Sequence, residues 1–271
     1  MLSWIDGLPC DFLSLRDRGL AYGDGLFETV AVRRGRPLLL DRHMARLAEG
    51  CSRLSMPLDG ALIRAELQAF AVELGVGVAK LIVTRGDGLR GYAPPQPTLL
   101  RRILQGSPWP AYPSANAELG VELFPCCTRL AEQPLLAGLK HLNRLEQVLA
   151  RAEWQGGEYA EGLMRDVSGR VIEGVFSNLF LVKSSQLLTA DLSRCGVAGV
   201  MRAEILTLAA GSGLAVQVRD IAYDEFLGAD EVFLCNSLYG IWPVRRFDGH
   251  DWPVGPLTRK LQALVHHLQD S

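Results

Sequence analysis

The sequence predicts a mixed α+β protein in two lobes, and three observations carry that prediction. Stretches with the two-residue alternation of strands are interleaved with stretches whose apolar residues recur every three or four positions. A chain of 271 residues is long enough to bury a sizeable core and to divide in two. The proline-dense stretch Gly106-Ser107-Pro108-Trp109-Pro110-Ala111-Tyr112-Pro113-Ser114 marks the division. The expected layout is a small α+β domain over 1–106, a linker over 107–118 and a larger domain over 119–271.

Composition narrows the function classes. Hydrophobic residues are 48% and charged residues 21% of the chain, as in a well-packed globular protein. A formal charge of −2 gives no general reason to expect nucleic acid or an anionic membrane as partner. The start Met1-Leu2-Ser3-Trp4-Ile5 lacks a basic region before an apolar core, and no apolar run approaches the ~18 residues of a membrane helix. The six cysteines are scattered without CxxC spacing, which suggests reduced residues in a cytoplasmic protein. The five histidines show no ligand spacing, so no metal site is expected.

In the first domain, residues 1 to about 40 read as β-hairpins. The glycines of Gly19-Leu20-Ala21-Tyr22-Gly23-Asp24-Gly25 mark a tight turn where backbone comes close to something. Phe27-Glu28-Thr29-Val30-Ala31-Val32 then alternates as a strand, ending at Arg33-Arg34-Gly35-Arg36. Asp41 reads as the N-cap of a helix carrying His43, Arg46 and Leu47. Arg46 shares a face with Leu47, so its guanidinium is expected to be partly buried and to need an anion. A second helix runs from Leu58 to about Leu74, and a strand follows over 79–85. Arg85 and Arg90, on or beside the loop Gly86-Asp87-Gly88-Leu89-Arg90-Gly91-Tyr92, are candidates to hold a substrate carboxylate.

The second domain carries the most informative stretch. Only four of the 28 basic residues are lysines, and Lys140 stands where the pattern changes abruptly, before Leu142, Leu145, Val148, Leu149 and Ala152. Those five have helical spacing and read as a buried stripe. A lysine fixed at such a junction can present its amine to a cleft, where loss of the proton prepares it for Schiff-base chemistry. A hairpin follows over 160–182, turning at Asp166-Val167-Ser168-Gly169-Arg170. Its returning strand holds Glu173 among apolar neighbours, a carboxylate that is costly to bury without a cationic or protonated partner. Gly196-Val197-Ala198-Gly199 leads into a helix whose first N–H groups suit an anion. A strand over 215–221, a short helix over 223–227, a strand over 231–237 and a helix over 256–269 complete the chain.

One amine, one buried carboxylate, one partly buried arginine and one helix start match what pyridoxal 5′-phosphate (PLP) requires. The amine bonds its aldehyde, the carboxylate keeps its ring nitrogen protonated, and the arginine and helix start neutralise its phosphate. At this point the sequence resembles the class IV aminotransferase-like, fold type IV PLP enzymes. The resemblance runs through Tyr22-Gly23-Asp24-Gly25-Leu26-Phe27-Glu28-Thr29, His43-Met44-Ala45-Arg46-Leu47, Leu139-Lys140-His141-Leu142-Asn143-Arg144-Leu145-Glu146 and Glu173-Gly174-Val175-Phe176-Ser177-Asn178. It continues through Gly196-Val197-Ala198-Gly199-Val200-Met201 and Phe233-Leu234-Cys235-Asn236-Ser237. Within the family the chain looks most like the aminodeoxychorismate lyases, by the block around Lys140.

The resemblance implies a small α+β lobe, a larger lobe with a pseudo-barrel of strands, PLP as cofactor and a homodimer. It implies Lys140 as the Schiff-base lysine, Glu173 as partner of the ring nitrogen and Arg46 as phosphate arginine. Val200 and Met201 would offer backbone N–H groups, Ser237 a hydroxyl, and Thr29 a hydroxyl near the cofactor ring. Asn178 belongs to the cofactor-binding set, and Arg85, Arg90 and Tyr92 to the substrate-binding set. The implied reaction converts aminodeoxychorismate to 4-aminobenzoate, a folate precursor, and pyruvate. The alternative on the same scaffold is a D-amino-acid or branched-chain aminotransferase. Phe27 stands where the D-amino-acid aminotransferases carry a tyrosine, and the role of Glu28 is open.

Overall fold

Leu26, Glu28, Val30 and Val32 point one way from their strand and Phe27 and Thr29 the other, and this two-residue period organises the first part of the molecule. The structure is a computed structural model that describes residues 2–270, with side chains as far as His266. It divides into one unit of Met1–Pro110 with Leu139–Asn143 and a second of Ala111–Gly138 with Arg144–Ser271.

The first unit contains β1 (Ser3–Ile5), β2 (Leu8–Pro9), α1 (Arg18–Tyr22), β3 (Gly25–Arg33) and β4 (Arg36–Pro37). α2 (Leu40–Arg53), α3 (Gly60–Leu74), β5 (Gly77–Thr84) and β6 (Arg101–Ser107) follow. The six strands form one antiparallel sheet in the order β2-β1-β6-β5-β3-β4. Val30, Val32, Leu81 and Val83 pack with Met44 and Leu47 of α2 and Leu67 and Phe70 of α3 in a single core.

Two local expectations are corrected here. The segment read as hairpin contains α1, because the Asp17 side chain accepts from the Gly19 and Leu20 N–H groups and caps a short helix. Asp41 lies inside the first turn of α2, whose N-cap is Leu39 in the left-handed region at φ 50°.

The second unit contains α4 (Ala115–Glu118), β7 (Val121–Leu130), α5 (Leu145–Ala152), β8 (Glu161–Asp166), β9 (Val171–Gly174), β10 (Asn178–Lys183) and β11 (Gln186–Ala190). Then come α6 (Val200–Gly211), β12 (Val216–Arg219), α7 (Tyr223–Leu227), β13 (Glu231–Asn236), β14 (Gly240–Phe247), β15 (His250–Asp251) and α8 (Pro256–Asp270). Strand pairing runs β10-β13-β14-β7-β8-β9 and returns from β9 to β10, so six strands close a ring. The expected pseudo-barrel is this ring. Its last closure rests on one paired position, Glu173 opposite Asn178. The stretch expected as one returning strand over 171–182 is therefore two strands, broken by the turn at 175–177.

Leu139–Asn143 groups with the first unit rather than with the residues around it. The cause is strand-like pairing: the Phe27 N–H donates to the Lys140 carbonyl at 2.9 Å and the Leu142 N–H to the Gly25 carbonyl at 3.0 Å. The stripe on α5 is also corrected. Leu145, Val148 and Leu149 are 75%, 59% and 60% exposed, and the helix buries Ala150 instead.

Phe226 is fully buried in the second unit, its ring centroid 5.1 Å from that of Phe247 and 5.3 Å from that of Trp252. Phe226→Ala should cost about 3–5 kcal/mol of unfolding free energy through the cavity it leaves. Exposed Leu135→Ala should stay within about 0.5 kcal/mol. Urea denaturation of both variants checks the difference.

Candidate active site

Lys140 occupies a non-helical segment ahead of α5. Its neighbour Leu139 is buried in the first unit's core, and alternation turns Lys140 the other way. The isolated bridge between Leu26 and His141 holds this segment alongside β3. The Lys140 Nζ sits 4.3 Å from the centroid of the Phe27 ring, a position that favours its ammonium form by about 0.5–1 kcal/mol. Thr29, half-buried, shares the Phe27 side of β3. The glycine turn comes close to the same segment: the Asn143 Nδ2 donates to the Gly23 carbonyl at 3.2 Å.

On the other face of β3, Glu28 points into the core beneath α2 and is 2% exposed. Its carboxylate takes the Arg46 Nε at 2.8 Å and a second Arg46 nitrogen, so the guanidinium is held bidentately. The His43 Nδ1 lies 2.6 Å from the same carboxylate. The anion that Arg46 was expected to need is thus supplied within the fold by Glu28, which also answers the open role of that residue. Burial alone would raise the Glu28 carboxyl, but the Arg46 charge and the bonds from His43 and Arg46 outweigh it and bring it to about 2. Burial pulls His43 below its ordinary value, with Glu28 opposing.

In the second unit, Glu173 is 3% exposed at the end of β9. Its Oε2 accepts from the Val197 N–H at 2.9 Å and from the Asn178 Nδ2 at 3.4 Å. Asn178 also donates to the Val197 carbonyl at 2.9 Å and accepts from the Gly199 N–H at 3.0 Å. One side chain therefore ties the carboxylate to the loop that opens α6. The Arg144 guanidinium is pulled down by burial, opposed by the charges of Glu173 and Glu146, so the buried carboxylate has a cationic neighbour.

The start of α6 has no side-chain cap and no acidic residue in its first turn, which leaves the Val200 and Met201 end of the helix suited to an anion. A Cβ at Gly199 would stand 2.0 Å from the Asn178 Oδ1, and one at Gly196 would stand 3.3 Å from the Glu173 Oε2. Only glycine admits this close approach. Ser237 is half-buried in the turn after β13, two residues beyond the Cys235 position that pairs with Asn178. These groups fit the parts of PLP: an amine for the aldehyde, a fixed carboxylate for a protonated ring nitrogen, and an uncapped helix start for a phosphate.

The substrate-binding set fares differently. Arg85 is buried, with its Nε on Asp24 at 2.9 Å and its two terminal nitrogens on the Ser55 and Leu54 carbonyls. Its guanidinium closes the C-terminal end of α2, which corrects the expectation that it receives a carboxylate. Arg90 and Tyr92 are exposed, and the Tyr92 ring centroid lies 5.5 Å from that of Tyr22. Sequence reasoning also passed over Glu161, a fully buried carboxylate at the start of β8. Its signal was the one that singled out Glu173, a glutamate among apolar neighbours.

The Glu28 and His43 shifts act in one direction on stability. Glu28, depressed from 4.5 to about 2, contributes stability that is complete above 4.5 and is lost as pH falls toward 2. His43, depressed from 6.5, resists protonation in the fold, so stability also falls as pH drops below 6.5. Unfolding free energy should decline in two stages on acidification, and Glu28→Gln should flatten the lower stage. Denaturant titrations from about pH 7 to pH 3 measure this; an unchanged lower stage in the variant contradicts it.

Comparison with known proteins identifies the scaffold. The amino-transferase class IV family pattern matches residues 25–247. An aminodeoxychorismate lyase of Vibrio harveyi is 39% identical over 266 residues, covering 96% of this chain and 98% of that protein. The crystal structure of 4-amino-4-deoxychorismate lyase from Pseudomonas aeruginosa is 66% identical, with a TM-score of 0.97 and 98% of each chain covered. A D-alanine aminotransferase of Bacillus licheniformis is 28% identical, covering 94% of this chain and 91% of that protein. The chain belongs to the amino-transferase class IV family, on the fold that its paired strands and the Lys140 segment had indicated.

Proposed function

We propose that this protein binds PLP and cleaves 4-amino-4-deoxychorismate into 4-aminobenzoate and pyruvate. The observation that carries the choice of reaction is the likeness to two lyases over nearly their whole lengths, well above the likeness to the D-alanine aminotransferase. PLP, when bound, supplies an electron sink for the carbanion formed at the carbon bearing the substrate amine.

The residues then have separate tasks. Lys140 would hold the cofactor through its Nζ and would be the base that takes the proton from C4 of the substrate. The enolpyruvyl ether at C3 is β to that carbon, and its departure leaves an aromatic ring. Lys140 or the Thr29 hydroxyl returns a proton to the leaving group. Glu173, held by Val197 and Asn178, would keep the ring nitrogen protonated. The Val200, Met201 and Ser237 groups would donate to the phosphate, and Arg46, its charge already shared with Glu28, would add a further donor. Arg90 and Tyr92 receive the substrate, which carries two carboxylates.

The protein acts in the cytoplasm as a homodimer. No helix among the described residues is long and apolar enough to cross a membrane. The dimer reading rests on Leu145, Val148 and Leu149, three exposed apolar side chains along α5 that a second copy would cover.

Incubation of the purified protein with PLP and 4-amino-4-deoxychorismate should yield 4-aminobenzoate and pyruvate in equal amounts. Dominant transamination of D-alanine with 2-oxoglutarate would reject the lyase reading. Lys140→Ala should lower turnover by more than about 10³-fold, and Glu173→Gln by about 10²-fold. In sedimentation, the 29.7 kDa chain should run as a dimer and the double variant Leu145→Glu, Val148→Glu as a monomer. A monomeric native protein would remove the dimer.

A further inference from the structure

The second unit buries another carboxylate that the chemistry above does not use. Glu161 opens β8 with no exposed surface. Its Oε1 accepts from the Gly162 N–H at 2.9 Å and the Val175 N–H at 3.0 Å. Its Oε2 accepts from the Phe176 N–H at 3.2 Å and the Ser177 hydroxyl at 2.7 Å. Three of these four donors belong to one stretch, Val175–Ser177. That stretch joins Glu173, at the end of β9, to Asn178, at the start of β10.

The turn has little room to settle otherwise. The Gly174 N–H donates to the Ser177 carbonyl at 2.8 Å, and a Cβ at Gly174 would stand 2.2 Å from the Ser177 Oγ and 2.9 Å from the Glu161 Cδ. Glu173 and Asn178 are also the one paired position that closes the strand ring. Whatever fixes the turn therefore fixes the carboxylate and the amide that orient each other and the start of α6.

We propose that Glu161 is a positioning residue for the cofactor site: as an anion it gathers the N–H and O–H donors of Val175–Ser177, and so sets where Glu173 and Asn178 stand. The inference rests on the reading that Glu173 meets the cofactor ring nitrogen. The ionised carboxylate accepts all four bonds, three of them from backbone N–H groups that cannot reverse, whereas the acid turns one oxygen into a donor and keeps the Ser177 bond only by reversing it. Burial opposes ionisation and pushes the Glu161 carboxyl up to about 7, against the four hydrogen bonds. The titratable groups that face it are Tyr112 before α4, Cys126 on β7 and Tyr239 in the turn after β13. Burial raises all three above their ordinary values, so they stay protonated through neutrality. Glu161 is the member of this group that changes charge there, and its hold on the turn weakens as pH falls below about 7.

The test is PLP affinity of the wild type, Glu161→Gln and Ser177→Ala, measured by absorbance titration at about pH 8 and about pH 6, with melting of each apoprotein. In Glu161→Gln the amide NH2 faces donors, so at the higher pH the variant should bind PLP about tenfold more weakly. The ratio to wild type should shrink at the lower pH, where wild-type Glu161 is itself protonated. Ser177→Ala should lose about threefold at the higher pH, and it carries the test if Glu161→Gln does not melt cooperatively. Wild-type affinity in both variants, or a Glu161→Gln ratio that does not change with pH, overturns the inference alone. Wild-type protein that does not bind PLP overturns the proposed function and this inference together.

Discussion

An ionised carboxylate taken out of water must be met by donors, and much of this structure answers that demand. Glu28, Glu161 and Glu173 are each almost completely buried. Glu28 is met by a bidentate arginine and a histidine, a charged solution that keeps it ionised even in acid. Glu161 is met by neutral N–H and O–H groups, a weaker solution that leaves it titrating near neutrality. Glu173 takes a backbone N–H and an amide among its partners, with the Arg144 charge acting on it. An isolated buried carboxylate would be unaffordable in any of these places. The pairings therefore decide where α2, the Val175–Ser177 turn and the loop before α6 must lie.

The chemistry proposed for the protein uses those constraints. A cofactor that accepts electrons needs a carboxylate that does not move, and Glu173 is tied at its own oxygen and through Asn178 to the loop beside it. A cofactor phosphate needs donors that are already oriented, and the uncapped α6 start is of that kind. The Lys140 segment is held by backbone pairing with β3, with the Phe27 ring beside the amine. Each group is fixed by neighbours within its own unit before any ligand enters.

Much of this was legible in the sequence because the signals were local. α7 lies where its short pattern placed it, and β5 and β13 begin within two residues of expectation. Glu173 and Lys140 stood out by the contrast between residue type and surroundings. The failures share a cause. Periodicity reveals that α5 has an apolar face but not what covers it, so Leu145, Val148 and Leu149 were read as core when this chain leaves them exposed. An arginine beside a glycine loop gives no sign that its partners are Asp24 and the carbonyls of Leu54 and Ser55, as for Arg85. Glu161 carries the same contrast as Glu173, but the turn that supplies three of its donors has the alternation of continuous strand, so nothing local marks that turn.

The account turns on which amine holds the cofactor. Borohydride reduction of the PLP-loaded protein, digestion and peptide mass spectrometry locate that bond directly. The account predicts a single phosphopyridoxyl group on the peptide containing Lys140. The same label on Lys80, Lys183 or Lys260, with Lys140 unmodified, would contradict it.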